Sequence, residues 1–333
     1  MHIKIFMSSA NNIQERELLN DFAAGVESWI ARELTDNQRF ENITRIGRWA
    51  AGNMAQNYTS YEYAEAYKEC DVAVFFGSWK AREKGTHQTR TSVAVNAKRF
   101  VCIETPLLNR VTDGENQYWR IGVNGFLHQD ADWPVLNSDD ADLRLADLGI
   151  QWSEWNSNPD GHILVALQLP GDASLRGADI NDWAYKTIVD IRKRTDRFVI
   201  VRNHPLASQR AFGDHEELAR KLLLAGVQNI RFSDGQIVPW SHDLQGAYCT
   251  VTYTSGLAID SVLSGIPTIA YDAGNFAWGI SSRLARDIND VKMVPKEQIR
   301  AWLRNLAGCQ WSADEMREGT AWRHLLPVLE NIK

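Results

Sequence analysis

The stretch AYCTVTYTSGLAIDSVLSGIPTIAYD, residues 247–272, carries the clearest structural signal in this chain. The apolar and β-branched run 247–252 predicts a buried strand, and 256–264 predicts a helix that begins after a polar turn. Ser264-Gly265-Ile266-Pro267 ends that helix, and 268–271 predicts the next strand. A strand, a helix and a second strand in this order favour a parallel sheet with right-handed crossovers.

The same alternation extends back through the second half of the chain. Strands are expected where short apolar runs stop at polar turns, and helices where apolar residues recur at helical spacing. The predicted strands are 162–168, 197–202 and 230–232, and the predicted helices are 180–194 and 216–225. The second half is therefore expected to form one α/β domain.

The first half shows a similar alternation, which predicts another α/β domain. Its predicted strands are 2–7, 70–76 and 99–104, and its predicted helices are 15–34, 58–68 and 86–97. The pattern weakens over 113–159, where glycine, proline, asparagine and aspartate interrupt any long period. We therefore expect an N-terminal domain over 1–150, a C-terminal domain over 160–310, and a C-terminal helix over 311–333. That helix could pack back on the N-terminal domain or within the second domain.

Length and composition agree with two globular domains. The chain has 333 residues, of which 44% are apolar and 23% charged, and these values exclude an intrinsically disordered or collagen-like protein. Lysine and arginine total 36 against 42 acidic residues, which gives a net charge of −6. A global basic field for nucleic acid is thereby excluded, although a local basic cleft is not.

Cysteine usage and hydropathy indicate a protein of the reducing cytoplasm. The four cysteines are far apart and show neither zinc-ligand nor disulfide-frame spacing, so no metal site is predicted from them. The N-terminus is too short an apolar run for a signal peptide, and no segment reaches the ~20 apolar residues of a membrane span. Several of the 13 tryptophans lie near polar turns, where they could pack at domain seams or stack on a ligand.

Three polar segments follow predicted strands of the second half. Thr254-Ser255-Gly256 offers hydroxyls and free backbone N–H groups at a helix start, which suits a phosphate; the alternative is that Thr254 or Ser255 only caps the helix. In Arg202-Asn203-His204-Pro205, His204 could donate to a phosphate or have only a structural role. The third segment is Gln168–Arg176. Convergence of these three segments at the carboxyl edge of one sheet would be typical of a nucleotide-sugar site.

These segments together resemble capsular-polysaccharide glycosyltransferases of the Kdo-transferase type, which are similar to polysialyltransferases in carrying a His-Pro motif. The resembling stretches lie in the family's order between residues 162 and 282: LVALQLPGDASLR (164–176), FVIVRNHP (198–205), TYTSGLAIDSVLSGIPTIAYD (252–272) and GNFAWGIS (274–281). The resemblance implies a GT-B fold, in which two Rossmann-like α/β domains face each other across a cleft and the C-terminal one holds a nucleotide-sugar donor.

On the basis of this resemblance, His204, Thr254 and Ser255 would contact the donor phosphate. Asp260 stands where the family usually has glutamate and would contact the donor sugar or ribose. The complete set expected to bind the donor is Gln168, Ser174, Arg202, His204, Thr254, Ser255, Gly256 and Asp260.

The general base is expected among carboxylates that could reach the acceptor hydroxyl. FVCIETPLLNR (100–110) is similar to the family's acidic strand-end motif, but Thr105-Pro106 replaces the usual acidic-glycine pair. Glu104 is the first candidate, and Asp113 and Asp172 follow it. The alternatives are a salt bridge from Glu104 to Arg110 or a neighbour, and a turn role for Asp172.

The acceptor could be a glycan or DNA. The basic segment 78–90 could line an acceptor groove, with Trp79 and His87 beside its cations, or be a solvated loop. The chain is similar in size and architecture to small viral glycosyltransferases that modify hydroxymethylated pyrimidines in DNA. The residues expected at the acceptor are Lys80, Arg82, Arg90 and Arg110.

The sequence thus predicts a glycosyltransferase that uses a UDP- or CMP-linked sugar as co-substrate, without a cofactor and without a metal ion. The alternative is a non-catalytic nucleotide- or glycan-binding module, because the Glu-Thr-Pro motif departs from the family's pattern. Oligomeric state, and whether the anomeric centre inverts or is retained, are left open.

Overall fold

The computed structural model describes residues 3–7, 11–33, 43–46, 61–62, 67–80, 88–110, 117–207 and 215–331. The chain divides into two compact units. The first comprises Met1–Phe126, Asp130–Gly149 and Arg304–Lys333, and the second comprises Leu127–Gln129 and Ile150–Leu303.

Strands and helices alternate along most of the described chain. The strands are β1 (Ile3–Phe6), β2 (Ile43–Ile46), β3 (Tyr61–Glu62), β4 (Val72–Phe76), β5 (Phe100–Glu104), β6 (Tyr118–Val123), β7 (His162–Ala166), β8 (Val199–Arg202), β9 (Ile230–Ser233), β10 (Ala247–Thr252), β11 (Thr268–Ala270) and β12 (Gln310–Ser312). The helices are α1 (Ile13–Glu33), α2 (Gln88–Asn96), α3 (Ser138–Asp147), α4 (Ile180–Arg192), α5 (Glu216–Leu224), α6 (Trp240–Leu244), α7 (Leu257–Leu263), α8 (Lys296–Gly308), α9 (Ala313–Arg317) and α10 (Thr320–Asn331).

The first unit is built on a sheet whose described strands run in the order β12-β6-β5-β4-β1-β2-β3. The five strands β1 to β5 pair in parallel, whereas β6 and β12 are antiparallel to their neighbours. The central strand β4 is buried at all five positions, as expected for a parallel strand covered on both faces. Helices α1, α9 and α10 complete the core, in which Phe22 packs edge-on against Trp322 with ring centroids 6.1 Å apart.

The described strands of the second unit form a parallel sheet in the order β11-β10-β7-β8-β9. Its core shows why the sequence pattern is so clear in this half. Along α4, Ile180, Ala184, Ile188 and Ile191 recur at helical spacing and are all fully or almost fully buried. Asp179 caps the same helix by accepting from the N–H groups of its first turn.

The predicted fold class is confirmed: the chain is an α/β protein with two units, each built on a sheet dominated by parallel strands. Three local expectations are wrong. Residues 61–62, predicted as part of a helix, form β3, and the C-terminal helix predicted over 311–333 is divided into α9 and α10. Residues 304–310, expected in the C-terminal domain, belong to the first unit, as does the whole C-terminal segment after them. None of the described helices is long and apolar enough to cross a membrane.

Candidate functional site

The loops at the carboxyl edge of the second sheet begin at one level. Ala166, the last residue of β7, pairs with Thr252 on one side and with Arg202 on the other. Thr252 in turn pairs with Ala270, the last residue of β11. The strand register therefore brings the segments that follow β7, β8, β10 and β11 to the same edge, where ligands of α/β proteins bind.

Gln168 joins two of these loops. Its Nε2 donates to Thr254 Oγ1 at 2.9 Å and to Ser174 Oγ at 2.8 Å, and its Oε1 accepts from the Thr254 N–H at 2.9 Å. Gln168 and Thr254 are 6% and 7% exposed. Because a buried network with satisfied partners holds its members in one geometry, these side chains fix the loops after β7 and β10 against each other.

Ser174 and Asp172 extend this network. Asp172 Oδ1 accepts from the Ser174 N–H at 2.9 Å and from its hydroxyl at 2.6 Å, which caps the short 3-10 turn at 173–175. Thr254 also donates to the Ser174 carbonyl at 3.0 Å. Asp172 therefore stabilises a turn, which is one of the two roles that the sequence left open for it. Gln168, Ser174 and Thr254 form hydrogen bonds with one another.

Ser255 and Gly256 lie beside the network. Ser255 Oγ accepts from the Leu257 N–H at 3.2 Å, which leaves its O–H as a donor. Neither Ser255 nor Gly256 donates its backbone N–H to a residue that the structure describes. The helix that follows, α7, spans Leu257–Leu263 and is therefore one residue shorter at each end than the predicted 256–264. Asp260 lies in the first turn of α7 and is partly exposed.

His204 follows β8 at the same edge and is partly exposed. Its Nδ1 accepts from the Leu206 N–H at 3.1 Å. In the neutral ring the proton is then on Nε2, so this nitrogen is a hydrogen-bond donor.

Arg202 is placed differently from the other predicted donor-binding residues. It is 5% exposed, and its Nη1 donates to Asp243 Oδ2 at 2.6 Å, while Nη2 lies 3.4 Å from the Gly235 carbonyl. Asp243 itself is fully buried. The guanidinium is thus held within the unit, and its contacts stabilise the sheet edge from which the His204 loop starts.

Asp243 was not indicated by the sequence. It lies in the five-residue helix α6, where a single acidic residue has no local mark that distinguishes it from a surface residue.

A second cluster that the sequence missed surrounds Asp272, just after β11. Its Oδ1 accepts from the Gly274 N–H at 2.7 Å and lies 3.2 Å from Arg176 Nη2. Burial, and then the charge of Asp272, raise the pKa of Tyr253 above its ordinary value. The signal was present in the sequence, because Asp272 directly follows a predicted strand.

Asn275 fixes the loop after this cluster. It is 1% exposed and donates to Thr252 Oγ1 at 2.9 Å and to the Tyr253 carbonyl at 3.2 Å. The motif GNFAWGIS is therefore anchored to the end of β10 through Asn275, a residue for which the sequence predicted no role.

Glu104 lies in the first unit as the last residue of β5. It pairs in register with Arg120 of β6, whose Nη2 donates to Glu104 Oε2 at 3.0 Å. Glu104 therefore forms the salt bridge that the sequence offered as an alternative to a base role, and its partner is Arg120 instead of Arg110. The loop that follows is held by Gln310, whose Oε1 accepts from the N–H groups of Leu107 and Leu108.

The residues expected at the acceptor are only partly described. Lys80 and Arg110 are exposed, and Arg90 lies in α2, whereas Arg82 lies outside the described residues. Asp113, a candidate base, is also outside them. Trp79 packs edge-on against Phe75, Phe100 and Phe126, with ring centroids 4.9 to 5.7 Å apart, and so contributes to the core of the first unit.

Within the described ranges, no three histidine, cysteine or acidic residues form a group that could hold a metal ion.

Comparison with known proteins gives similarity at the level of structure. No family model matches the chain, and no curated protein matches it. One similar solved structure is Thermosulfurimonas dismutans KpsC, beta Kdo 2,4 transferase, with 11% identity, a TM-score of 0.49, and coverage of 93% of this chain and 90% of that one. Another is Thermosulfurimonas dismutans KpsC, beta Kdo 2,7 transferase, with 9% identity, a TM-score of 0.46, and coverage of 97% and 99%.

Proposed function

We propose that this chain is a glycosyltransferase that moves a sugar from a nucleotide-activated donor to an acceptor hydroxyl, and that the carboxyl edge of its second sheet holds the donor. One observation carries the proposal: Gln168 bonds the loops after β7 and β10 together at the edge from which the His204 loop also starts. Several fixed polar loops at one edge of a parallel sheet are the usual basis of a nucleotide site. The donor is proposed to be a UDP- or CMP-linked sugar.

The phosphate would be bound by hydrogen-bond donors of the loops after β8 and β10. The Ser255 hydroxyl, the N–H groups of Ser255 and Gly256, and Nε2 of His204 are all donors. Donors fixed in place stabilise the negative charge that grows on a departing phosphate, which lowers the barrier to transfer. In this proposal Gln168, Ser174 and Thr254 position the loops, and Asp260 contacts the donor sugar or ribose.

Donor binding is tested by thermal-shift measurements with CMP, UDP, GDP and ADP. A ligand that binds only the folded state raises the unfolding midpoint, so we expect one nucleotide to give a clear shift. Ser255→Ala and His204→Ala should reduce that shift when it is measured against each variant's own nucleotide-free midpoint. Ser264→Ala, at the other end of α7, and the exposed His242→Ala are matched controls. Absence of a shift with all four nucleotides would contradict the donor site.

Transfer itself is proposed to proceed by direct displacement, with Glu104 accepting the proton of the acceptor hydroxyl and without a metal ion. Glu104→Gln should abolish transfer and keep the nucleotide-dependent thermal shift. Full activity in this variant would remove Glu104 from the role. Activity that is lost in EDTA and restored by magnesium would contradict metal independence.

A second function is favoured by the surroundings of Glu104. Its ion pair with Arg120, together with Thr105-Pro106 in place of an acidic-glycine pair, is also what a non-catalytic nucleotide- or glycan-binding module would show. Such a module would give the nucleotide-dependent thermal shift but neither hydrolysis nor transfer of the sugar. The donor-binding and transfer assays together separate the two functions.

The acceptor is proposed to be a glycan or DNA, and salt dependence distinguishes them. Binding to DNA releases counterions and weakens steeply with salt, whereas binding to a neutral glycan changes little. A triple substitution of Lys80, Arg82 and Lys84 by alanine should reduce acceptor binding only if the acceptor is DNA. The core packing of Trp79 gives no support to base stacking by that residue.

A further inference from the structure

The second unit contains an open cleft of about 570 Å³ that the proposed donor site does not use. It runs along α4 and the short turn at 285–287, and its volume is within the ~300–1,000 Å³ that is typical of small-molecule sites. All of its lining residues belong to the second unit. We name it the α4 cleft.

Two aromatic side chains in the lining are held in place by their neighbours. The rings of Trp183 and Tyr271 pack edge-on with centroids 5.4 Å apart, and Trp183 packs in the same way on Tyr253 at 5.7 Å. The Tyr271 hydroxyl also accepts from the Ala285 N–H at 2.8 Å. Rings that are already fixed lose little conformational entropy on binding, so they suit a ligand with flat apolar faces, such as a sugar ring.

The remainder of the lining is strongly biased toward positive charge. Its charged members are four cations and one acidic residue: Lys186, Lys193, Arg194, Arg286 and Asp190. The side chains of Lys186 and Arg286 are 72% and 70% exposed, so they can turn toward a ligand. An occupant that carries carboxylates would complement this charge, whereas a cationic one would be repelled.

Existing ion pairs do not prevent these cations from binding a ligand. Lys186 pairs with Asp182 at 2.7 Å and Arg194 with Asp190 at 3.3 Å, both one helical turn apart on α4. Arg286 Nε lies 3.8 Å from Asp287 Oδ1, a longer and exposed contact between neighbouring residues. Exposed pairs of this kind contribute only ~0.3–0.5 kcal/mol, so a ligand carboxylate can replace the helix partner at small cost. Lys193 forms no ion pair with any residue that the structure describes.

We propose that the α4 cleft binds an acidic saccharide, with sugar rings against Trp183 and Tyr271 and carboxylates paired with Lys193 and Arg286. This site is distinct from the donor site, where the groups expected to meet a phosphate are hydroxyl and N–H donors after β8 and β10. Binding here requires no chemistry from the protein, so it does not depend on the proposed transferase activity.

The test is isothermal titration of the full chain with two saccharides of equal length, the acidic hexagalacturonate and the neutral maltohexaose. We expect hexagalacturonate to bind at least tenfold more tightly. The double variant Lys193→Glu/Arg286→Glu should weaken its binding at least tenfold, because both substitutions reverse charge at exposed positions of the cleft. Lys221→Glu, an exposed lysine on α5 outside the cleft, is the matched control and should bind like the unmodified chain.

Several results would overturn the proposal. Absence of binding by hexagalacturonate would do so, as would equal binding of the two saccharides. Unchanged binding in the double variant would place the ligand elsewhere, and an equal loss in Lys221→Glu would indicate a general charge effect. The nucleotide-dependent thermal shift, measured on the same double variant, should be unchanged. Failure of the donor site is therefore seen separately from failure of the α4 cleft.

Discussion

Asp243 connects several segments of the second unit through one buried carboxylate. Its Oδ2 accepts from Arg202 Nη1 and from the Ser233 hydroxyl, both at 2.6 Å, and its backbone carbonyl lies 2.7 Å from His162 Nε2. A buried charge pair of this kind is costly to form but much more costly to break, because the remaining partner has no water to solvate it. The pair therefore determines the local structure of the sheet edge on which the donor site is proposed.

Removing one partner of this pair should destabilise the second unit. We expect Asp243→Asn and Arg202→Met each to lower the free energy of unfolding by about 3 to 5 kcal/mol, since each leaves a buried group uncompensated. The double variant Arg202→Met/Asp243→Leu should recover part of the loss, because it removes both charges. Urea unfolding of the three variants measures these effects. Single variants as stable as the parent chain would show that the pair does not constrain the edge.

Two histidines should make stability fall in mildly acidic solution. Burial lowers the pKa of His324, and the charges of Arg323 and Arg144 lower it further. Burial also lowers the pKa of His128. The unfolded chain then takes up these protons near pH 6.5, while the folded chain resists them until lower pH. The contribution of these two histidines to the free energy of unfolding is thus fully present above pH 6.5. It is lost as the pH falls toward their pKa values in the folded state.

The corresponding measurement is the unfolding midpoint at pH 7.5, 6.5 and 5.5. His324→Gln should show a smaller decrease between pH 7.5 and 5.5 than the parent chain. His242→Gln, which changes an exposed histidine, is the control and should keep the full decrease. An identical pH dependence in His324→Gln and the parent chain would exclude His324 as a source of the effect.

Helices α1 and α9 approach each other more closely than side chains normally permit. A Cβ added at Gly25 of α1 would overlap the Met316 carbonyl oxygen and lie 2.8 Å from the Gly319 nitrogen. Gly319 has a φ of +82°, a backbone conformation that favours glycine. The two glycines therefore permit the contact between the first helix and the C-terminal segment.

Alanine at Gly25 should separate these helices. We expect Gly25→Ala to lower the free energy of unfolding by about 1–3 kcal/mol, the usual cost of overpacking a close contact. Gly279→Ala is the control, because an added Cβ there meets nothing within 4 Å, and its effect should stay within about 0.5 kcal/mol. Chemical denaturation of both variants measures the difference. Equal stability would mean that the backbone of α1 and α9 adjusts without cost.

At the scale of the whole molecule, the C-terminal segment completes the first unit. Strand β12 pairs with β6, and Trp311, Trp322, Leu325 and Leu329 are fully buried in the core of that unit. The second unit contains none of these residues. The first unit is therefore built from chain segments that are distant in sequence.

Deleting residues 310–333 should unfold the first unit and leave the second folded. The deletion removes an edge strand and a large part of one apolar core, and burial of each large apolar side chain contributes ~1.5–3 kcal/mol. Limited proteolysis should then cleave readily within residues 3–126, while 150–303 remain protected. A protected first unit in the truncated chain would show that its core does not need the C-terminal segment.

The sequence by itself determined the fold class and much of the second unit. Buried parallel strands are short continuous apolar runs, and α4 has a clear helical period, so local patterns were sufficient there. Polar residues just after these strands also indicated where a site would form, because strand direction alone places their loops at one edge. The three-residue strand β12 and the division between α9 and α10 have no comparable local pattern and were missed.

Only the tertiary structure decided which polar groups pair with one another. Gln168 and Thr254 are 86 residues apart, Arg202 and Asp243 are 41 apart, and Gln310 reaches the loop after Glu104 across about 200 residues. A hydrogen bond depends on where two atoms lie in space, and periodicity along the chain carries no information about such distant partners. The sequence could therefore place residues at the sheet edge, whereas packing decided that Arg202 stabilises the edge and that Gln168 fixes its loops.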